Sequence, residues 1–110
     1  MTILITGCAG FIGMHFAKML LQRKFKVVGI DNMNRYYDIN LKKDRIKILK
    51  KFKNFSFYSE NINKLNKLKL IFKQQKPNIV INLAGQAGVR YSLTNPSAYI
   101  QSNIKGFFNM

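Results

Sequence analysis

The chain has 110 residues, enough for one domain and too few for two separate ones. Nineteen Lys and Arg against four Asp and Glu give a formal charge of +15, yet the lysines from Lys42 to Lys76 fall on the expected polar sides of helices with no interleaved aromatics, which argues against a nucleic-acid interface. One cysteine excludes an internal disulfide and suits a reducing, cytoplasmic setting. No run of 18 apolar residues and no basic leader is present, so neither a membrane span nor a signal peptide is expected.

The basic bias has a compositional source, because lysine, asparagine and isoleucine make up 40 of the 110 residues, as an AT-rich gene would produce. A positive field would still draw in anions. A basic nucleic-acid-binding domain stays as an alternative whose mark would be steeply salt-dependent affinity.

In chain order, Thr2 to Ile5 is a short apolar run suited to a central parallel strand covered on both faces. It breaks into Gly7-x-x-Gly10-x-x-Gly13, a spacing different from the usual G-x-G-x-x-G. Gly7 and Gly10 allow a tight turn and close approach of a ligand, and Gly13 allows the next helix to pack near the strand. A ligand-free turn is the plainer reading of glycines alone. The helix expected over Phe11 to Arg23 carries an apolar stripe at Ile12, Phe16, Met19 and Leu20, and its N-terminus suits a phosphate. Cys8 in this turn reads as a small filler rather than a nucleophile, and the lone His15 as structural.

The second strand, Lys26 to Ile30, ends in Asp31, 18 positions beyond Gly13. A carboxylate there accepts hydrogen bonds from an adenosine ribose and meets the 2′-phosphate of NADP as a like charge, which favours NAD. Arg35 could offset that preference, and a solvated loop carboxylate is the alternative. A helix over Leu41 to Phe52, a strand over Asn54 to Tyr58, a helix over Asn63 to Gln74 and a strand over Asn78 to Leu83 follow. Asn95 before Pro96 is a helix-start signal. The alternation predicts an α/β fold, a partial Rossmann doubly wound parallel sheet of four strands in the order 3-2-1-4. The ligand crevice then lies outside the carboxyl ends of strands 1 and 4, beside Gly7 to Gly13, Asp31 and the segment 84–90.

Thr6-Gly-Cys-Ala-Gly-Phe-Ile-Gly13, Asp31-Asn32 and Asn82-Leu-Ala-Gly85 resemble the cofactor half of the extended short-chain dehydrogenase/reductases, in particular the NAD-dependent nucleotide-sugar epimerases and dehydratases. The stretches 31–45 and 86–103 look most like the UDP-glucuronate 4-epimerase branch. The resemblance covers nearly the whole chain. It implies that Gly7, Gly10, Phe11, Ile12 and Gly13 cradle a pyrophosphate, that Asp31 and Asn32 hold the adenosine ribose, and that Leu83, Ala84 and Gly85 pass beside the middle of NAD. Asn61-Ile62 stands where the family has Asp followed by Ile or Leu near the adenine, and an asparagine oxygen can still accept that hydrogen bond. Asn103 matches a family asparagine that supports the active-site helix, whereas Gln101 departs from an aspartate.

Arg90, read as the only arginine near the crevice, is the candidate substrate residue, a bidentate clamp for the uronate or phosphate of a UDP-sugar, with a surface cation beside Tyr91 as the alternative. The resemblance also implies oxidation at C4, rotation of the keto sugar and return of hydride to the other face, in a homodimer formed through helices beginning near Pro96. The family's Tyr-x-x-x-Lys pair is absent, since Tyr36, Tyr37, Tyr58, Tyr91 and Tyr99 are followed four residues on by Asn40, Leu41, Ile62, Asn95 and Asn103. The start at Met1 reads as native. Residues 1–110 are therefore expected to be the N-terminal part of an NAD-binding domain, ending within a helix, with catalytic and sugar-binding portions outside them, no catalytic residue, no metal site and no turnover alone. A stand-alone NAD-binding module or an inactive truncated remnant are the alternatives.

Overall fold

The computed structural model describes residues 1–33, 38–85 and 93–110. Four strands, β1 (Thr2–Thr6), β2 (Lys26–Asp31), β3 (Phe55–Ser59) and β4 (Ile79–Asn82), form one parallel sheet in the order β3-β2-β1-β4. The predicted order is thus observed. Helix α1 (Phe11–Gln22) links β1 to β2, α2 (Ile39–Leu49) links β2 to β3, and α3 (Leu65–Gln75) links β3 to β4.

Alternate residues of β1 and β2 enter opposite cores, as the two-residue period of a strand requires. Ile3, Ile5 and Val27 pack with Met14, Ala17, Leu20, Leu21, Ile46 and Leu49 under α1 and α2. Leu4, Val28 and Ile30 pack with Ile62, Leu68 and Ile71 under α3. Both faces are covered, so β1 and β2 read as continuous apolar runs rather than alternating ones.

Helix α1 is rotated from the expected stripe. Gly13, Met14, Ala17, Leu20 and Leu21 are its buried residues, while Ile12 is 68% exposed and Met19 39%. The rotation follows from Gly13: a Cβ there would lie 2.1 Å from the Gly7 carbonyl oxygen, so only the glycine face can seat against the turn. Helix α2 also differs, because Lys42 occupies its buried face with Ile46 and Leu49. It begins at an Asp38 cap that accepts from the Asn40 N–H.

The chain after β4 is less regular than one continuous helix. Pro96–Tyr99 starts at Asn95, whose side chain accepts from the Ala98 N–H. Ile100–Gly106 is then π-helical and Phe107–Asn109 returns to the α form. Nothing in the side-chain pattern marks the wider i→i+5 turns, which are rare and often sit at functional sites.

Candidate functional site: the crevice at the strand ends

Gly7 turns the chain out of β1 with a φ of +72°, and its N–H donates to the Ile30 carbonyl at the end of β2. A Cβ on Gly7 would lie 2.9 Å from backbone atoms of both Leu83 and Ala84. The glycine therefore lets the ends of β1 and β4 close on each other. Gly10 caps α1 through its carbonyl, which accepts from Met14 N–H at 2.9 Å, and no side chain caps the helix. The first turn of α1, at Phe11, Ile12 and Gly13, thus presents a helix N-terminus with no acidic group in it. Such an end attracts an anion.

Asp31 ends β2 on the same side of the sheet and is 6% exposed. Its Oδ2 accepts from Ala9 N–H at 3.1 Å, and its Oδ1 accepts from Met33 N–H at 2.7 Å and from Lys42 Nζ at 3.1 Å. The side chains of the ion pair are 7% and 5% exposed. Met33 adopts a left-handed φ of +55°, which the bond from its N–H to Asp31 stabilises. Asp31 is thus a fixed, buried hub that joins the glycine turn to α2, not a solvated loop carboxylate.

Two cations on α2 were not expected at the crevice. Lys42 lies off the polar side, paired with Asp31. Arg45 donates from Nη1 to the Ala9 carbonyl at 3.1 Å and lies over the Phe11 ring, 5.9 Å from its centroid. Arg45 is thus an arginine at the crevice that the sequence reading did not count there. The signal was present in the sequence: Lys42, Ile46 and Leu49 repeat at i, i+4 and i+7, so a lysine stands on an apolar stripe.

Thr6, fully buried, stitches the two central strands. Its hydroxyl donates to Asn82 Oδ1 and accepts from Ala84 N–H, and its carbonyl accepts from Leu83 N–H. This seam holds Leu83, Ala84 and Gly85 against the turn. Gly85 faces Asn103, whose Oδ1 would be 3.1 Å from a Cβ at position 85. Asn103 thus reaches the β4 end from the π-helical segment.

Beyond Asp31 an open cleft of about 310 Å³ is lined by Asn32, Ser59, Glu60, Asn61 and Lys64. Asn61 Oδ1 accepts from Asn63 N–H at 3.2 Å, which starts the turn into α3. Ile62 is buried in the core under α3. Arg35 and Arg90 lie outside the described residues.

Cys8 is fully buried in the turn with its Sγ toward Gly29, where a Cβ would approach it to 2.7 Å. Burial, and then the Asp31 charge, push its thiol pKa far above the ordinary range. Cys8 fills space, as the sequence suggested. His15 is exposed and meets the Phe11 ring edge-on at 4.9 Å. Among the described residues no cluster of His, Cys, Asp and Glu could hold a metal, and no helix is long and apolar enough to cross a membrane.

The family model described as GDP-mannose 4,6 dehydratase matches residues 4–110. The chain belongs to this family. It is 49% identical over 110 residues to Protein CapI of Staphylococcus aureus, covering all of this chain and 33% of that protein. It is 47% identical to the UDP-glucuronate 4-epimerase of Thermodesulfobacterium geofontis, covering 97% of this chain and 33% of the relative. Among solved structures, the UDP-glucuronic acid 4-epimerase of Bacillus cereus in complex with UDP-glucuronic acid and NAD superposes with a TM-score of 0.86 at 35% identity, over 99% of this chain and 34% of that one. The chain thus spans about a third of the length of the curated relatives it matches, and its fold is that of the N-terminal, Rossmann-like part of such epimerases.

Proposed function

We propose that residues 1–110 form the NAD-binding N-terminal part of a nucleotide-sugar 4-epimerase acting on UDP-glucuronate. The observation that carries this reading is the cradle itself: an uncapped helix N-terminus over a glycine turn in which a Cβ at Gly13 would meet the Gly7 carbonyl at 2.1 Å. The absence of a Cβ at Gly7 and Gly13 lets the turn close on the β4 end and on the first turn of α1, and the helix N-terminus held there suits a pyrophosphate. NAD supplies a hydride acceptor for C4 of the sugar.

In this assignment Gly7, Gly10, Phe11, Ile12 and Gly13 hold the pyrophosphate. Asp31 and Asn32 take the adenosine ribose, with Asp31 Oδ2 as the acceptor, since among the described residues it receives one hydrogen bond and Oδ1 two. The cleft at Asn61 receives the adenine, with the backbone at Ile62 beside it because that side chain belongs to the core. Leu83, Ala84 and Gly85 border the middle of the cofactor, and Arg90 orients the sugar nucleotide. None of these groups is assigned to acid–base chemistry. The catalytic tyrosine and lysine are placed outside these residues.

We also assign the protein to the cytoplasm and to a homodimer. Ile100, Ile104 and Phe108 are 53%, 64% and 86% exposed at i, i+4 and i+8, an apolar stripe that a second copy would cover.

Isothermal titration of NAD into the complete protein, as its gene encodes it, tests the cofactor reading. A saturable heat that disappears in Gly13→Ala is expected. No heat from a folded, monodisperse sample removes the proposal. Interconversion of UDP-glucuronate and UDP-galacturonate by the complete protein tests the reaction.

A further inference from the structure

We infer that the end of the sheet opposite the crevice is a docking surface for anionic lipid, by which the protein rests on a membrane without crossing it. The inference is independent of the NAD reading and starts from where the charges lie. Arg23, Lys24 and Lys26 stand where α1 passes into β2, Lys51 and Lys53 where α2 passes into β3, and Lys76 where α3 passes into β4. All six are exposed. In a parallel sheet joined by helices, each helix ends and each following strand begins at the same end of the molecule, so the three connections gather these cations there. The four acidic residues stand elsewhere: Asp31 closes β2, Glu60 follows β3 and Asp38 caps α2, all at the crevice end, and Asp44 lies within α2.

Composition accounts for the number of lysines but not for this separation of charge. A helix dipole favours cations at the last turn and cap, which covers Arg23 and Lys76, the caps of α1 and α3. Lys26 and Lys53 lie beyond its reach, at the mouths of β2 and β3. The face is also flush. Thr2 pairs with Lys26, Val27 with Phe55 and Ile3 with Ile79, so all four strands start close to a common line. The connecting residues 23–25, 50–54 and 76–78 are too few to project as long loops. Strands about 4.8 Å apart spread the four starts over roughly 15 Å. Neighbouring cations thus lie within about one to two Debye lengths of each other and act together on a charged surface.

A broad, flush cationic face suits a planar anionic layer better than a polynucleotide. Phe25 and Phe52, the aromatics within these connections, pack against the core under α1 and α2, so neither ring is offered for base stacking. A cluster of about four to eight basic residues is the footprint that an anionic leaflet attracts, each one near the surface contributing about fivefold to partitioning. Docking through this end turns the carboxyl ends of the strands, and the crevice with them, away from the lipid.

The test sediments the complete protein with vesicles of phosphatidylcholine alone and with vesicles containing roughly one-third phosphatidylglycerol, at about 0.1 M and about 0.5 M salt. Binding is expected to the phosphatidylglycerol vesicles only, and should fall about tenfold or more at the higher salt. Lys26→Gln with Lys51→Gln and Lys53→Gln should weaken partitioning about a hundredfold. Lys43→Gln with Lys67→Gln and Lys69→Gln makes the same change in net charge at exposed positions within α2 and α3, and should alter it by less than about threefold. Equal losses in the two triple variants, equal binding to both kinds of vesicle, or no binding to either overturns the proposal. Double-stranded DNA that binds more tightly than the vesicles, and is lost in the first triple variant alone, overturns it in favour of a nucleic-acid face. If the first triple variant does not fold, Lys53→Gln alone replaces it: a loss of about fivefold supports the docking face, and unchanged partitioning overturns it.

Discussion

Val27 and Val28, in the strand on one side of β1, are fully buried, whereas Ile79 and Val80, in the strand on the other side, are 42% and 39% exposed. The two walls of the crevice differ accordingly. On the β2 side, the glycine turn, Asp31, Lys42 and Arg45 are tied together by bonds that all lie within one βαβ unit and its following helix. On the β4 side the crevice hangs on the Thr6, Asn82 and Ala84 seam, and Leu83, Leu93, Ile100 and Ile104 stand exposed beyond it. Local bonding thus preorganises the adenosine half, and the opposite half is held by the short β1–β4 ladder and the Thr6 seam at its end.

The comparison breaks most sharply at Gly13. Gly13→Ala places a Cβ 2.1 Å from a backbone oxygen that cannot move without dismantling the turn. A loss of more than about 3 kcal/mol in stability and the loss of NAD binding are expected. Gly10→Ala, whose Cβ would sit 3.2 Å from the same oxygen, should be much milder. Denaturant unfolding of the two variants side by side checks the ranking.

Next in size is the ion pair on the tightly bonded wall. Lys42→Met alone leaves Asp31 buried without its cation and should cost about 3–5 kcal/mol, whereas Asp31→Asn with Lys42→Met removes both charges and should recover most of that loss. A double-mutant cycle read by urea unfolding measures the coupling. Coupling below about 0.5 kcal/mol would mean that the pair does not anchor the wall.

The same contrast explains what could be read from the residues in advance. The strand order and the turn follow from short apolar runs, glycine spacing and the handedness of crossovers, all of which are local rules. The face of α1 did not follow, because Ile12 and Phe16 satisfy the helical period as well as Ala17 and Leu21 do. Only the contact between Gly13 and the Gly7 oxygen chooses between them. Lys42 was misplaced for a related reason: a charge is ordinarily assigned to solvent, and its partner lies eleven residues away across the β2–α2 connection. The π-helical turns at Ile100–Gly106 leave no periodic trace in seven residues.

A smaller difference separates the hydrophobic contributions of the walls. Ile30→Ala, in the core under α3, should cost about 2–5 kcal/mol, and Ile79→Ala less than about half as much, because part of its surface is already in water. Equal losses would mean that the β4 wall is as well packed as the other.

The smallest effect concerns Cys8, which joins the turn to Gly29 inside the better-packed wall. Its thiol is held protonated in the fold by burial and by the Asp31 charge. In the unfolded chain it ionises at roughly pH 8.5. Above that pH the unfolded state binds fewer protons than the native state, so stability falls as pH rises. The slope approaches about 1.4 kcal/mol per pH unit while the native thiol stays protonated. Cys8→Ala removes this contribution without introducing a polar atom. The difference between the two proteins should be flat below pH 8 and tilt against the cysteine form above it. A difference that stays flat to pH 10 would mean that the thiol reaches solvent, and that the turn under Asp31 opens more readily than its bonding implies.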